Sequence, residues 1–122
     1  MSFITFLTDR FDESARFYGE LLGFSTVAQW DRADSRGRRF DLGGMKLELL
    51  DHGREKERHS LGTVSDRVQV VVEVDDLEAV RSRITIATSP VQETSWGALL
   101  FQLRDPDGIP ITFLQWVKKE GT

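Results

Sequence analysis

The sequence predicts an α+β protein made of two β-α-β-β-β units, and three observations carry that expectation. A short apolar strand pattern ending in aspartate, Phe3 to Asp9 (FITFLTD), recurs as Gln69 to Asp75 (QVVVEVD), 66 positions later. A glycine turn followed by a strand, Gly44 to Leu50, recurs as Gly108 to Leu114, offset by 64. A segment of helical spacing follows the first strand of each copy. A repeated supersecondary unit sets the architecture before any single residue is weighed.

The elements follow in order. Phe3 to Thr8 reads as a strand with Ile4 and Phe6 on one face and Phe3, Thr5 and Leu7 on the other. Asp9 is the expected N-cap of the first helix, with Asp12 adding negative charge near the positive end of the helix dipole. Ala15, Tyr18, Leu21 and Leu22 supply the apolar stripe, and Gly23 supplies a left-handed stop. Ser25 to Trp30 is a second strand, Ala33 to Gly37 a turn, Arg38 to Leu42 a third strand and Met45 to Leu50 a fourth. Segment 52–66 is charged, carries His52 and His59 and lacks periodicity. It is read as a surface linker between a unit at about 2–51 and a unit at about 67–117, all within one domain spanning 1–122. In the second unit Val68, Val70, Val72 and Val74 share a strand face. Asp75 with Glu78 makes a capping pattern, and Leu77, Val80, Arg81 and Ile84 mark a short helix. Pro90 to Thr94, Ala98 to Arg104 and Ile109 to Trp116 are the remaining strands. Asp105-Pro106-Asp107-Gly108 is a tight turn, with proline presetting φ and glycine permitting a positive one.

Composition narrows the function classes. The 122 residues suffice for one core, and 39% apolar with 30% charged residues is ordinary for a globular chain. A net charge of −4 gives no electrostatic footprint for nucleic acid or an anionic membrane. With no cysteine, disulfides, thiolate catalysis and cysteine metal sites are excluded. No apolar run approaches a membrane span, and the N-terminus does not read as a signal peptide, so a cytoplasmic location is expected.

Together, the repeat, the helix-start Asp9, the Phe17-Tyr18 pair, the Leu22-Gly23-Phe24 helix stop and the Asp105-Pro106-Asp107-Gly108 turn resemble the vicinal oxygen chelate superfamily. That group contains glyoxalases, bleomycin-resistance proteins and extradiol dioxygenases, and the resemblance covers about residues 2–117. It implies two curved mixed sheets around a shared cleft, with helices on the outer faces. Ile4, Phe6, Met45, Leu47, Leu49, Val68, Val70, Val72, Ile111 and Phe113 would then pack beneath helices. Alternation sends Phe3, Thr5, Leu7, Lys46, Glu48, Gln69, Val71, Glu73, Thr112, Leu114 and Trp116 into the cleft.

In metal-dependent members of that family, the first and last strands of each unit each give one ligand, commonly His and Glu. The matching positions here are Phe3, Glu48, Gln69 and Thr112. Phenylalanine cannot ligate, threonine is a poor neutral donor, and glutamine offers one carbonyl oxygen, a ligand that some glyoxalases use. Only Glu48 is a strong anionic donor. Zinc, nickel or iron(II) want about three or more protein donors, so no metal and no cofactor is expected. His52 and His59 are read as solvated surface histidines. Glu48 is the one candidate general base, and its bland alternative is the wet face of a half-buried strand. Trp96 and Trp116 are candidates for stacking on a ligand, whereas Trp30 is read as packing. Arg36, Arg38 and Arg39 include candidates for holding a ligand carboxylate, although Arg36 reads better as part of a solvated hairpin.

The reading favoured by these residues is a metal-independent protein that binds a small organic molecule through Phe3, Thr5, Glu48, Gln69, Trp96, Thr112 and Trp116. With Glu48 flanked by Phe3 and Trp116, a cationic or hydrogen-bond-donating ligand is expected. One alternative is a metal-dependent lyase, isomerase or dioxygenase with an atypical site on Glu48 and Gln69. Another is a protein-association module with no ligand. A homodimer is expected by resemblance and because open sheets leave edges to be covered.

Overall fold

A computed structural model describes residues 2–55, 61–62 and 68–117. The chain divides into two compact units, Met1–Val64 and Ser65–Thr122. Each contains a four-stranded mixed sheet, with strand order β1-β4-β3-β2 in the first and β5-β8-β7-β6 in the second.

In unit 1, β1 (Phe3–Thr8) is followed by α1 (Phe11–Arg16), β2 (Ser25–Arg32), β3 (Ser35–Asp41) and β4 (Lys46–Asp51). β1 runs parallel to β4, which is why a helical crossover must separate β1 from the antiparallel strands β2, β3 and β4. α1 packs against β4, and Phe11, Ala15, Phe17, Tyr18, Phe40, Leu47 and Leu49 are buried. The helix does not end with α1. Phe17–Leu21 continues as one wide π-helical turn, closed by the Leu22 N–H donating to the Phe17 carbonyl at 2.9 Å. That turn lets the adjacent residues Phe17 and Tyr18 both reach the interior, edge to face at 5.1 Å. Gly23 then reverses the chain at φ +76°, as a left-handed stop requires.

Asp9 does not cap α1. The cap position is Arg10, which makes no side-chain capping bond, while the Asp9 carboxylate meets His52 Nδ1 at 2.9 Å. His52 is therefore not a solvated surface residue. It is buried in a short 3-10 turn, His52–Arg54, that extends the chain beyond β4. His59 and most of the expected linker lie outside the described residues. The turn after β2 is shorter than expected: Ala33 and Asp34 make it, and Arg36 and Gly37 already belong to β3.

Unit 2 contains β5 (Val70–Glu73), α2 (Leu77–Arg83), β6 (Gln92–Glu93), β7 (Ala98–Arg104) and β8 (Pro110–Trp116). Asp76, not Asp75, caps α2: its carboxylate accepts from the Ala79 N–H at 3.1 Å. The strand expected over Pro90 to Thr94 shrinks to two residues, Gln92 and Glu93, paired with Leu100 and Leu99 of β7, and Thr94 closes the turn into β7 by donating its N–H to the Ala98 carbonyl at 2.8 Å. The core is Val70, Val72, Leu77, Phe101, Leu103, Ile111 and Phe113, with the Phe101 and Phe113 rings stacked at 5.3 Å. The tight turn before β8 works through Asp105, whose Oδ1 accepts from the N–H groups of Asp107 (2.9 Å) and Ile109 (2.8 Å). Gly108 takes φ +85° there.

The pairing registers match the two units residue for residue. Thr5 stands opposite Glu48, and Val71 opposite Thr112, which preserves the 66- and 64-residue offsets of the sequence. Two expected core residues depart from expectation: Ile4 is 45% exposed and Val68 51% exposed. Both sit at or beside an edge strand, β1 or β5, where cover comes from at most one side.

Candidate functional site

Glu48 lies mid-strand on β4, between β1 and β3. Register puts Thr5 on one side of it and Arg39 on the other. The Thr5 hydroxyl donates to Glu48 Oε1 at 3.1 Å, and Arg39 donates to Oε2 from Nη2 (2.7 Å) and Nε (3.2 Å). Only 8% of the Glu48 side chain is exposed, against 29% for Arg39. The guanidinium carbon of Arg39 in turn lies 4.2 Å from the centroid of the Phe3 ring and 5.8 Å from that of Trp30. One row thus crosses all four strands of unit 1: Phe3 and Thr5, then Glu48, then Arg39, then Trp30.

Sequence reasoning placed a cationic ligand against Glu48. In the folded chain Arg39 takes that place, and Glu48 serves as its anchor. A carboxylate that accepts three hydrogen bonds from its own chain is a fixed counter-ion. Arg39 is the group left to act outward, because Nη1 makes no hydrogen bond among the described residues. Arg39 is legible in the sequence as one of three arginines that could hold a ligand carboxylate, but nothing local singles it out from Arg36 and Arg38. Its pairing with Glu48 depends on strand register, nine positions apart through a turn.

Trp30 owes its position to Gly37. Directly opposite it on β3, Gly37 leaves room for the indole to lie over its backbone: a β-carbon there would stand 2.3 Å from Trp30 Cζ2. The indole N–H donates to Ser35 Oγ at 2.9 Å, which locks the ring.

Unit 2 carries the equivalent row in neutral form. Gln102 stands opposite Thr112, as Arg39 stands opposite Glu48. Gln102 Nε2 donates to Thr112 Oγ1 at 2.9 Å, and that hydroxyl donates to Gln69 Oε1 at 2.7 Å. Thr112 is buried and Gln69 exposed. At the far end of β8, Trp96 and Trp116 meet edge to face at 5.5 Å, each more than half exposed.

These side chains do not fit a transition metal. Within unit 1, Phe3 offers no donor and both Glu48 oxygens are engaged. Within unit 2, Gln69 and Thr112 bond each other. Among the described residues no group of three or more His, Asp or Glu side chains converges on one point. No described helix is long and apolar enough to cross a membrane.

The model of the Glyoxalase/Bleomycin resistance protein/Dioxygenase superfamily matches residues 1–113. No curated protein matches the chain significantly. Among solved structures, the chain is similar to a glyoxylase/bleomycin resistance protein/dioxygenase domain from Frankia sp. EAN1pec, with TM-score 0.74 at 18% identity, covering 100% of this chain and 93% of that one. It is also similar to TnmS3, an antibiotic binding protein from Streptomyces sp. CB03234, with TM-score 0.67 at 23% identity over 95% and 97% of the two chains. A lactoylglutathione lyase from Agrobacterium tumefaciens gives TM-score 0.68 at 17% identity over 94% and 92%. At these identities the likeness is one of fold, and a fold shared by a binding protein and a lyase does not select a chemistry.

Proposed function

The chain belongs to the glyoxalase/bleomycin resistance protein/dioxygenase superfamily, and on that premise we propose that it binds a small, planar organic molecule without a metal. The observation that carries this reading is the Arg39 guanidinium, anchored by Glu48, lying against Phe3 and near Trp30. Such a row offers a flat face for stacking and a charged donor at its edge. Thr5 and Glu48 then act as positioning residues, and Phe3, Arg39 and Trp30 as contacts. The ligand's matching group is an acceptor, such as a carbonyl, phenolate or carboxylate. On unit 2, the exposed Gln69 amide, Thr112 and the Trp96–Trp116 pair are proposed as a ligand-contacting face of their own.

The test is a tryptophan-fluorescence titration with a panel of planar aromatic acids and quinones, with and without chelator. Binding that is indifferent to chelator and about 10- to 100-fold weaker in Arg39→Ala is expected, the loss of one or two charge-assisted hydrogen bonds. Binding abolished by chelator, or unaffected in Arg39→Ala, overturns the reading.

The protein is further proposed to act as a homodimer. Ile4 and Leu7 on edge strand β1 are exposed, and an apolar edge left in water invites pairing. Sedimentation at micromolar concentration is expected to show twice the chain mass, and a monomer there removes the proposal.

A further inference from the structure

Unit 1 has a cavity of about 450 Å³ beside β2, β3 and the start of α1, lined by Phe11, Asp12, Gln29, Asp31, Arg36 and Arg38, and also touched by Trp30 of the Phe3–Arg39 row. Alternation along β3 puts Arg36 and Arg38 on the face of buried Phe40, opposite to Arg39. The cavity arginines therefore belong to the other side of the sheet from the Phe3–Arg39 row.

Its charged side chains are ion-paired, except for Arg38. Arg36 lies 4.2 Å over the Phe11 ring and pairs with Asp12 (2.6 Å) and Asp51 (3.4 Å). Asp31 pairs with Arg54 at 2.7 Å. Arg38 has no ion pair or hydrogen bond among the described residues, and its Nε is buried without an acceptor. The residues opposite it are Gln29 on β2 and Leu49 on β4, neither of them anionic. A guanidinium stays charged at any physiological pH. Burying one of its N–H groups without an acceptor is unfavourable, and it leaves the guanidinium with no acceptor of its own among the described residues.

We propose that this cavity is a second binding site, taking a small carboxylate with an apolar body. Arg38 supplies the forked donor for the carboxylate, the Gln29 amide supplies a further donor, and the Phe11 ring forms an apolar wall. The volume falls within the range of small-ligand pockets. Arg36, shared by Asp12 and Asp51, and Arg54 on Asp31 offset most of the nearby acidic charge, which weakens its repulsion of the ligand's carboxylate.

The test is an amide NMR titration of the labelled protein with sodium benzoate and, separately, sodium phosphate, at constant ionic strength. Benzoate is expected to give saturable shifts at Gln29, Gly37 and Arg38, with phosphate weaker for want of an apolar body. Arg38→Gln is expected to weaken benzoate about tenfold or more, while the control Arg83→Gln on α2 changes nothing. Arg38→Lys, which keeps the charge and loses the fork, is expected to fall between. The same spectra report whether each variant is folded. If Arg38→Gln is not, Gln29→Ala takes its place, with an expected loss of about threefold. No saturable shift up to about 50 mM benzoate, far above the Kd range of a useful small-ligand site, overturns the proposal. So does a shift unchanged in the folded Arg38 or Gln29 variant, or phosphate binding as tight as benzoate.

Discussion

Glu48→Ala is expected to melt about 6–10 °C below the unsubstituted protein, a loss of roughly 2 kcal/mol. Removing one member of a buried ion pair leaves the other charge uncompensated, which costs about 3–5 kcal/mol when both partners are deeply buried. Here Glu48 is nearly inaccessible but Arg39 is 29% exposed, so water recovers part of the cost. The Thr5 hydroxyl also loses its acceptor. Glu48→Gln keeps the shape and one acceptor oxygen, and about half the loss is expected. The double variant Glu48→Ala/Arg39→Ala should be more stable than the two single losses added together, because no unpaired charge remains. Thermal melts of the four proteins decide this. A Glu48→Ala melting point within about 2 °C of the parent would mean that the pair is an ordinary surface contact. Ligand binding should fall with Arg39 anchoring, so Glu48→Ala should weaken it even though Glu48 itself makes no ligand contact.

Gly37→Ala is expected to cost about 2–3 kcal/mol, combining overpacking with a broken hydrogen bond. The added methyl would stand 2.3, 2.7 and 2.9 Å from three atoms of the Trp30 indole. The ring is rigid and is tied to Ser35 at 2.9 Å, so it has to swing off β3 and give up that bond. Gly37 has no positive φ, so the effect is steric and owes nothing to backbone conformation. A red shift of tryptophan emission should accompany the lower melting point, since the indole moves toward water. Unchanged emission and stability would show that the strand gives way in place of the ring.

The strand pattern, the repeat and both offsets are legible without coordinates because a sheet buried on one face imposes a period of two, and a duplicated unit imposes it twice. The positions of Phe3, Glu48, Gln69 and Thr112 follow from that alone. Other errors came from choosing between neighbours of equal chemistry. Asp75 and Asp76 are both good N-caps, and only the path of the chain into α2 selects the second. Asp9 is a good cap by type, yet His52, 43 residues away, draws its carboxylate instead.

What the sequence determined by itself is the α+β class, the two units and the absence of any cysteine chemistry, all of which rest on local periodicity and composition. What only the tertiary structure decided is which side chains face one another across strands. Glu48 has its counter-ion in Arg39, Thr112 has Gln102, Gly37 makes room for Trp30, and Arg38 has no partner among the described residues. Those pairings depend on the lengths of the turns that join the strands. A one-residue change in register would send every such side chain to the opposite face, so their chemistry is a property of the assembled sheet and of no single strand.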